Sequence, residues 1–82
     1  MCRKEVQVKF PDGLHARPAG NFVREAAKFT SKINVEKEGK LANGKSIMAV
    51  LTLGVNCNDK ITITAEGEDQ EDAVEALSRL FA

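Results

Sequence analysis

The stretch "PDGLHARPAGNFVREAAKF", residues 11–29, changes from one type of secondary structure to another, and that change decides the fold. The residues before it, "KEVQVKF" (4–10), alternate polar and apolar side chains, which is the period of a half-buried strand. A Pro-Asp-Gly triplet then favours a turn. From residue 16 to about 29, apolar residues recur at helical spacing, which predicts a helix with one buried face. His15, the only histidine of the chain, lies where that helix begins.

Three more segments have the features of strands. Residues 32–38 and 60–67 alternate apolar and polar side chains, and the second of these segments is rich in β-branched residues. A tight turn at "EGK" (38–40) leads into a further short strand near Leu41.

Two more segments have the features of helices. "NGKSIMAVLTLG" (43–54) predicts a loop followed by a short apolar helix, with Ser46 as its N-cap and Gly54 at its end. "EDQEDAVEALSRLFA" (68–82) predicts an amphipathic helix whose acidic residues lie in the first turns, where the helix dipole favours them.

The predicted order is therefore β-α-β-β-α-β-α. Four short strands joined by turns favour a mostly antiparallel sheet with three helices on one face, which is an α+β two-layer open-faced sandwich. We expect one domain, residues 1–82. The predicted core comprises Val6, Val8, Phe10, Ala19, Phe22, Val23, Ala26, Phe29, Ile33, Val35, Ile61, Ile63, Ala65, Ala73, Val74, Leu77, Leu80 and Phe81.

Composition narrows the class of protein. With 82 residues, 43% hydrophobic and 29% charged, the chain can bury one modest core. No apolar run approaches the roughly 20 residues of a membrane span, and no signal-peptide pattern is present, so we expect a cytoplasmic protein without membrane insertion. Four Phe, without Trp or Tyr, give no aromatic-basic pattern for stacking on bases, which disfavours a nucleic-acid partner.

Neither a disulfide framework nor a metal site is expected. Cys2 and Cys57 have no Cys-x-x-Cys partner, which favours reduced thiols of minor structural importance. The chain has one histidine and no paired cysteines, too few ligands of the usual kind for zinc, so we expect no zinc site within the chain. We also expect no cofactor.

Charge is distributed unevenly along the chain. Residues 1–46 contain ten Lys or Arg and five Asp or Glu, giving +5, whereas residues 47–82 contain two and seven, giving −5. The basic half includes His15, which favours an anionic ligand or an acidic macromolecular partner. A chance asymmetry of the surface is the alternative.

The position of His15 favours phosphate chemistry. The first N–H groups of a helix lack carbonyl partners and form its positive end, which disfavours an imidazolium and receives an anion. Pro18 suits a first turn, and the guanidinium of Arg17 can bind two phosphate oxygens at once. Arg17, Arg24 and Lys28 also form a basic stripe along the helix. An ordinary exposed histidine, and a stripe that is only the solvent side of the helix, remain the alternatives.

Two motifs resemble a known family. "GLHARPAGNFVREAAKF" (13–29), together with "NGKSIMAVLTLGV" (43–55) and "ITITAEGEDQEDAVEAL" (61–77), is similar to HPr, the histidine-containing phosphocarrier protein of the bacterial phosphoenolpyruvate:sugar phosphotransferase system. The similarity spans essentially the whole chain. "GLHARPA" combined with "KSIM" about thirty residues later is specific to this family.

The resemblance implies a phosphoryl carrier and not an enzyme. His15 would accept a phosphoryl group on Nδ1 from phospho-enzyme I and pass it to the A domains of sugar-specific enzymes II, while Arg17 would contact the phosphate. A histidine at position 15 argues against the regulatory paralogue in which this residue is lost.

The resemblance also implies a docking surface on the first two helices. It maps to Gly20 and Arg24 on one helix, and to Ile47, Met48 and Leu51 on the other. From the residues alone, Ile47 and Met48 could equally belong to the core, and Ile47 is the better candidate for partial burial. We expect a monomer.

Ser46 has two interpretations. As a helix N-cap it would contribute about 1 kcal/mol. The resemblance adds regulation: the "KSIM" motif is similar to the Gram-positive branch, in which this serine is phosphorylated by HPr kinase/phosphorylase and the product serves a catabolite-control transcription regulator. A purely regulatory protein, without sugar transport, has the same histidine site and stays open, whereas an unrelated α+β binding module does not explain both motifs.

Overall fold

Four strands form one antiparallel sheet in the computed structural model, which describes all of residues 1–82. They are β1 (Cys2–Gln7), β2 (Lys32–Lys37), β3 (Lys40–Asn43) and β4 (Lys60–Glu66). Their spatial order is β1-β4-β2-β3, so β4 lies between β1 and β2. All three pairings are antiparallel, including the β2–β3 hairpin, where the sequence analysis expected a mostly antiparallel sheet.

Three helices complete the predicted element order: α1 (Ala16–Ala26), α2 (Ile47–Thr52) and α3 (Gln70–Arg79). They pack on one face of the sheet, so the predicted α+β open-faced sandwich is confirmed. None of the helices is both long enough and apolar enough to cross a membrane.

Helix α1 ends earlier than predicted, at Ala26 and not near Phe29. Tertiary hydrogen bonds explain this end. Lys45 donates to the carbonyl of Phe29 at 2.6 Å, which satisfies an acceptor that follows the helix. The carboxylate of Asp69 accepts the N–H groups of Thr30 at 2.9 Å and Ser31 at 3.0 Å, which draws the chain out of the helix and towards β2.

The core lies between the sheet and the helices. Along β4, buried Ile61, Ile63 and Ala65 alternate with half-buried threonines, which confirms the predicted period of two. Phe22 of α1 is completely buried and contacts Phe81, with 6.0 Å between the ring centroids. Five residues predicted to be core are only half-buried, because they lie at the edges of the layer: Val6, Phe10, Val23, Phe29 and Leu80.

Candidate functional site

His15 is the N-cap residue of α1. Its backbone is extended, with φ −90° and ψ −165°, and its carbonyl accepts the first hydrogen bond of the helix from Ala19 at 2.8 Å. Its side chain makes no capping hydrogen bond and is exposed. The imidazole is therefore accessible to a partner, at the position that the sequence analysis predicted.

The segment before His15 is held by tight packing against the chain that follows α2. Gly13 is buried and has φ +71°, and a Cβ atom at this position would lie 2.3 Å from the carbonyl oxygen of Val55. The same oxygen accepts the N–H of Leu14 at 3.0 Å. Only glycine fits this close approach, and the approach sets the direction in which the chain enters the helix.

The first turn of α1 presents unpaired N–H groups. The N–H groups of Ala16 and Arg17 precede the first intrahelical hydrogen bond, and Pro18 has no N–H group to donate. Two backbone donors and the positive end of the helix dipole therefore lie next to His15, an arrangement that suits an anion.

His15 also lines a depression of about 290 Å³ on the surface. One side of it is formed by the segment that follows α2. Its other lining residues are Leu14, Ala16, Leu51, Gly54, Val55 and Asn56.

Arg17 does not line the His15 depression. Arg17 lines a separate depression with Phe10, Pro18 and Phe81, and it has no ion-pair partner. The contact of Arg17 with a phosphate on His15 therefore stays a prediction.

Helices α1 and α2 bring three of the predicted docking residues together. A Cβ atom on Gly20 would lie 3.8 Å from Cδ1 of Ile47 and 3.9 Å from Nη1 of Arg24. Ile47 is 41% exposed and Met48 is 70% exposed, so neither is a core residue, and Ile47 is the more buried of the two. Leu51 is half-buried and faces the His15 depression.

The predicted basic stripe is less regular than expected. Lys28 lies beyond the end of α1, and its ammonium is 3.0 Å from the carboxylate of Glu25. Arg24 donates to the side chain of Asn21. Arg17 is therefore the one stripe residue without a side-chain partner, because the helix ends early and local acceptors engage the other two.

Ser46 caps α2, as predicted. Its Oγ accepts the N–H of Ala49 at 3.3 Å, and its carbonyl accepts that of Val50 at 3.1 Å. At the other end of the helix, Gly54 has φ +71°, which is typical of a glycine that terminates a helix.

Leu41 is 67% exposed on β3 and lines a depression with Met48, an exposure that was not predicted. The alternation within "KLAN" contained the signal, since Ala42 is buried and its neighbour must face the other way.

Together, the fold and the site define a small α+β protein that presents one histidine at the start of a helix.

Comparison with known proteins agrees with this description. A family model described as "PTS HPr component phosphorylation site" matches residues 2–82. HPr-like protein Crh of Halalkalibacterium halodurans is 49% identical, over 94% of this chain and 92% of the relative. Phosphocarrier protein HPr of Buchnera aphidicola subsp. Acyrthosiphon pisum is 47% identical, over 99% and 95%. The crystal structure of HPr-C-His from Thermoanaerobacter tengcongensis has a TM-score of 0.96 at 46% identity, covering 99% of this chain and 91% of that one.

The chain belongs to the HPr family. The family comparison also includes a crystal structure of an HPr dimer from Thermoanaerobacter tengcongensis, with a TM-score of 0.77 at 46% identity, covering 98% of this chain and 92% of that one. That dimer counts against the expected monomer, which stays a prediction.

Proposed function

We propose that this chain, as one domain of residues 1–82, carries a phosphoryl group from phospho-enzyme I to the A domains of sugar-specific enzymes II. The observation that supports this most directly is the exposed imidazole of His15 at the start of α1, beside the unpaired N–H groups of Ala16 and Arg17. We expect the transfer to take place in the cytoplasm, without a cofactor and without insertion into a membrane.

The chemistry needs a neutral imidazole. The lone pair of Nδ1 forms a bond to phosphorus while the bond between phosphorus and the donor breaks, and the donor leaves with those electrons. The phosphate oxygens then accept hydrogen bonds from the N–H groups of Ala16 and Arg17. The guanidinium of Arg17 binds two oxygens, since it has no competing ion pair.

The docking surface in this proposal is the exposed apolar pair Ile47 and Met48, with Arg24 and Gly20 beside it. Apolar side chains bordered by cations suit partners whose surfaces are apolar and acidic. Leu51 extends this surface to the His15 depression. One surface would thereby place the histidine against both the donor and the acceptor.

Ser46 is the proposed regulatory site. Phosphorylation by HPr kinase/phosphorylase would add a charge of about −2 at the N-terminus of α2, on the surface that enzyme I approaches. We expect this charge to slow phosphorylation of His15 and to create a binding site for a catabolite-control transcription regulator.

A purely regulatory protein is the second candidate. The identity of 49% to an HPr-like protein Crh favours it, and a similar structure is described as the Bacillus subtilis catabolite repression HPr. The histidine at position 15 favours the carrier, since it is the residue lost in the regulatory paralogue.

Labelling with enzyme I and radioactive phosphoenolpyruvate tests the proposal. An acid-labile label that is absent from His15→Ala supports the carrier, and an unlabelled wild-type chain contradicts it. Incubation with ATP and HPr kinase/phosphorylase tests regulation separately, since the expected label is acid-stable and absent from Ser46→Ala.

A further inference from the structure

The loop of residues 54–59, which joins α2 to β4, forms one wall of the His15 depression. Gly54, Val55 and Asn56 line that depression. Val55 also accepts the N–H of Leu14 at 3.0 Å, and Leu14 immediately precedes His15. The shape of this loop therefore affects both the surroundings of the imidazole and the path of the chain into α1.

One half-buried cation contacts both ends of the 54–59 loop. Nζ of Lys37, at the end of β2, donates to the carbonyl of Gly54 at 2.6 Å. The same atom lies 2.9 Å from Oδ2 of Asp59. The Lys37 side chain is 14% exposed and that of Asp59 is 31% exposed, so the pair lies at the edge of the solvent-accessible surface.

Bonds within the loop connect these two ends to its centre. Oδ2 of Asp59 accepts the N–H of Asn56 at 2.8 Å, next to the Val55 carbonyl. This N–H and the Lys37 ammonium lower the pKa of Asp59, because both stabilise its ionised form. Nζ of Lys37 also lies 3.8 Å from the exposed carboxylate of Glu38, but this contact is longer and Glu38 is not part of the 54–59 loop.

We propose that Lys37 is a positioning residue for the phosphoryl acceptor: by holding Gly54 and Asp59 it fixes the Val55 carbonyl, and through Leu14 it fixes the N-cap geometry of His15. The role in phosphoryl transfer rests on the proposed function, whereas the effect on local geometry does not. Lys37 touches neither His15 nor the phosphate, so it acts only through the loop.

Substitution of Lys37 tests this role against a matched control. Lys37→Met keeps most of the aliphatic side chain and removes the ammonium, and Lys37→Arg restores a cation that can reach both acceptors. Lys40→Met makes the same change of charge at the residue paired with Lys37 across the β2–β3 hairpin, where the ammonium makes no hydrogen bond to the loop.

Two measurements should respond to Lys37→Met. Hydrogen exchange of the Leu14 N–H should accelerate at least about tenfold relative to the N–H groups of β4, the factor that corresponds to losing a hydrogen bond to a charged group. With enzyme I, kcat for phosphorylation of His15 should fall several-fold with KM unchanged. Lys37→Arg should restore both values, and Lys40→Met should change neither.

The proposal is overturned if Lys37→Met behaves like Lys40→Met, or if all N–H groups exchange faster by one common factor, since that is a global loss of stability. If enzyme I fails to phosphorylate even the wild-type chain, the proposed function fails. In that case the positioning role is tested without enzyme I, by the hydrogen exchange rate of the Leu14 N–H and by the NMR chemical shifts of the His15 ring, which Lys37→Met should change and Lys40→Met should not.

Discussion

Gly20 of α1 faces Ile47 of α2 across a gap that a methyl group would fill, with 3.8 Å between the position of a Cβ atom and Cδ1 of Ile47. Glycine inside a helix costs about 0.5–1 kcal/mol relative to alanine, and packing does not require it at this position. We therefore expect Gly20→Ala to raise the free energy of unfolding by about that amount, as measured by urea denaturation. Gly13→Ala is the contrasting variant, because φ +71° and a 2.3 Å approach to Val55 should make it destabilising by about 1–3 kcal/mol or more. A lower free energy of unfolding in Gly20→Ala would show that the space between α1 and α2 is too small for a methyl group, contrary to the 3.8 Å distance.

Substitution of Met48 tests the docking surface. Since Met48 is 70% exposed, Met48→Asp should leave the free energy of unfolding within about 0.5 kcal/mol of wild type. It should nevertheless raise KM for enzyme I, because it places a negative charge in an apolar surface that is expected to meet acidic partners. Thr64→Asp is the control, because Thr64 alternates with buried Ile63 and Ala65 on β4 and so lies on the face of the sheet opposite the helices, away from the α1–α2 surface. Equal effects of the two variants on KM would contradict docking through α2.

Arg17 should act on the transfer step and not on docking. Its removal leaves the phosphate on His15 without a two-pronged donor, so Arg17→Ala should lower kcat about 10- to 100-fold, the range for hydrogen bonds to a charged group. Arg17→Lys should recover only part of the loss, because an ammonium cannot reproduce the fork of a guanidinium. Arg24→Ala removes the same charge from the same helix and should change mainly KM. A stopped-flow assay with phospho-enzyme I separates the two constants, and equal kcat in both alanine variants would argue against a phosphate contact.

Asp69 should make stability depend on pH. Hydrogen bonds from the Ser31 hydroxyl and from the N–H groups of Thr30 and Ser31 lower its pKa from 3.8 to about 2. A carboxyl with a lower pKa in the folded chain stabilises it above the unfolded value, and this contribution is lost as pH falls from about 4 to about 2. Asp69→Asn should therefore be less stable than wild type at pH 7, and the difference should shrink by pH 2. Thermal unfolding at both pH values measures it, with Asp72→Asn, on the exposed side of α3, as the control. A difference that stays constant with pH would contradict the assigned cause.

Two substitutions of Ser46 test its role as helix N-cap separately from the effect of a negative charge at this position. Ser46→Ala should destabilise the chain by about 1 kcal/mol, because the N–H of Ala49 loses its acceptor. Ser46→Asp keeps a capping carboxylate, so it should fold nearly as stably as wild type while slowing phosphorylation of His15 by enzyme I. Chemical denaturation and the transfer assay measure the two effects independently. If Ser46→Asp takes up phosphate at the wild-type rate, the inhibitory role of a charge at this position is wrong.

Local patterns in the chain contain most of the architecture. The alternation of Ile61, Ile63 and Ala65 and the helical spacing of Ala19, Phe22 and Ala26 predict their elements, because hydrophobic burial acts on one face of each. The helix starts at His15 and Ser46 are equally local features. The Ser46 side chain accepts an N–H of the first turn, whereas the His15 side chain makes no capping bond and leaves the first N–H groups free.

Other features depend on contacts between residues distant in the sequence. No local pattern shows that α1 stops at Ala26, because Lys45 and Asp69 provide the bonds that end it. Nor does spacing reveal that Arg17 and Phe81 line the same depression, since Phe81 belongs to the far end of the chain.

The order of elements, the two-layer fold and the position of one histidine at a helix start follow from the sequence alone, because apolar periodicity and helix capping act over a few residues. The surroundings of that histidine depend instead on tertiary contacts. Val55 holds the segment before it, and Lys37 holds the loop that contains Val55, across distances in sequence that no periodicity records.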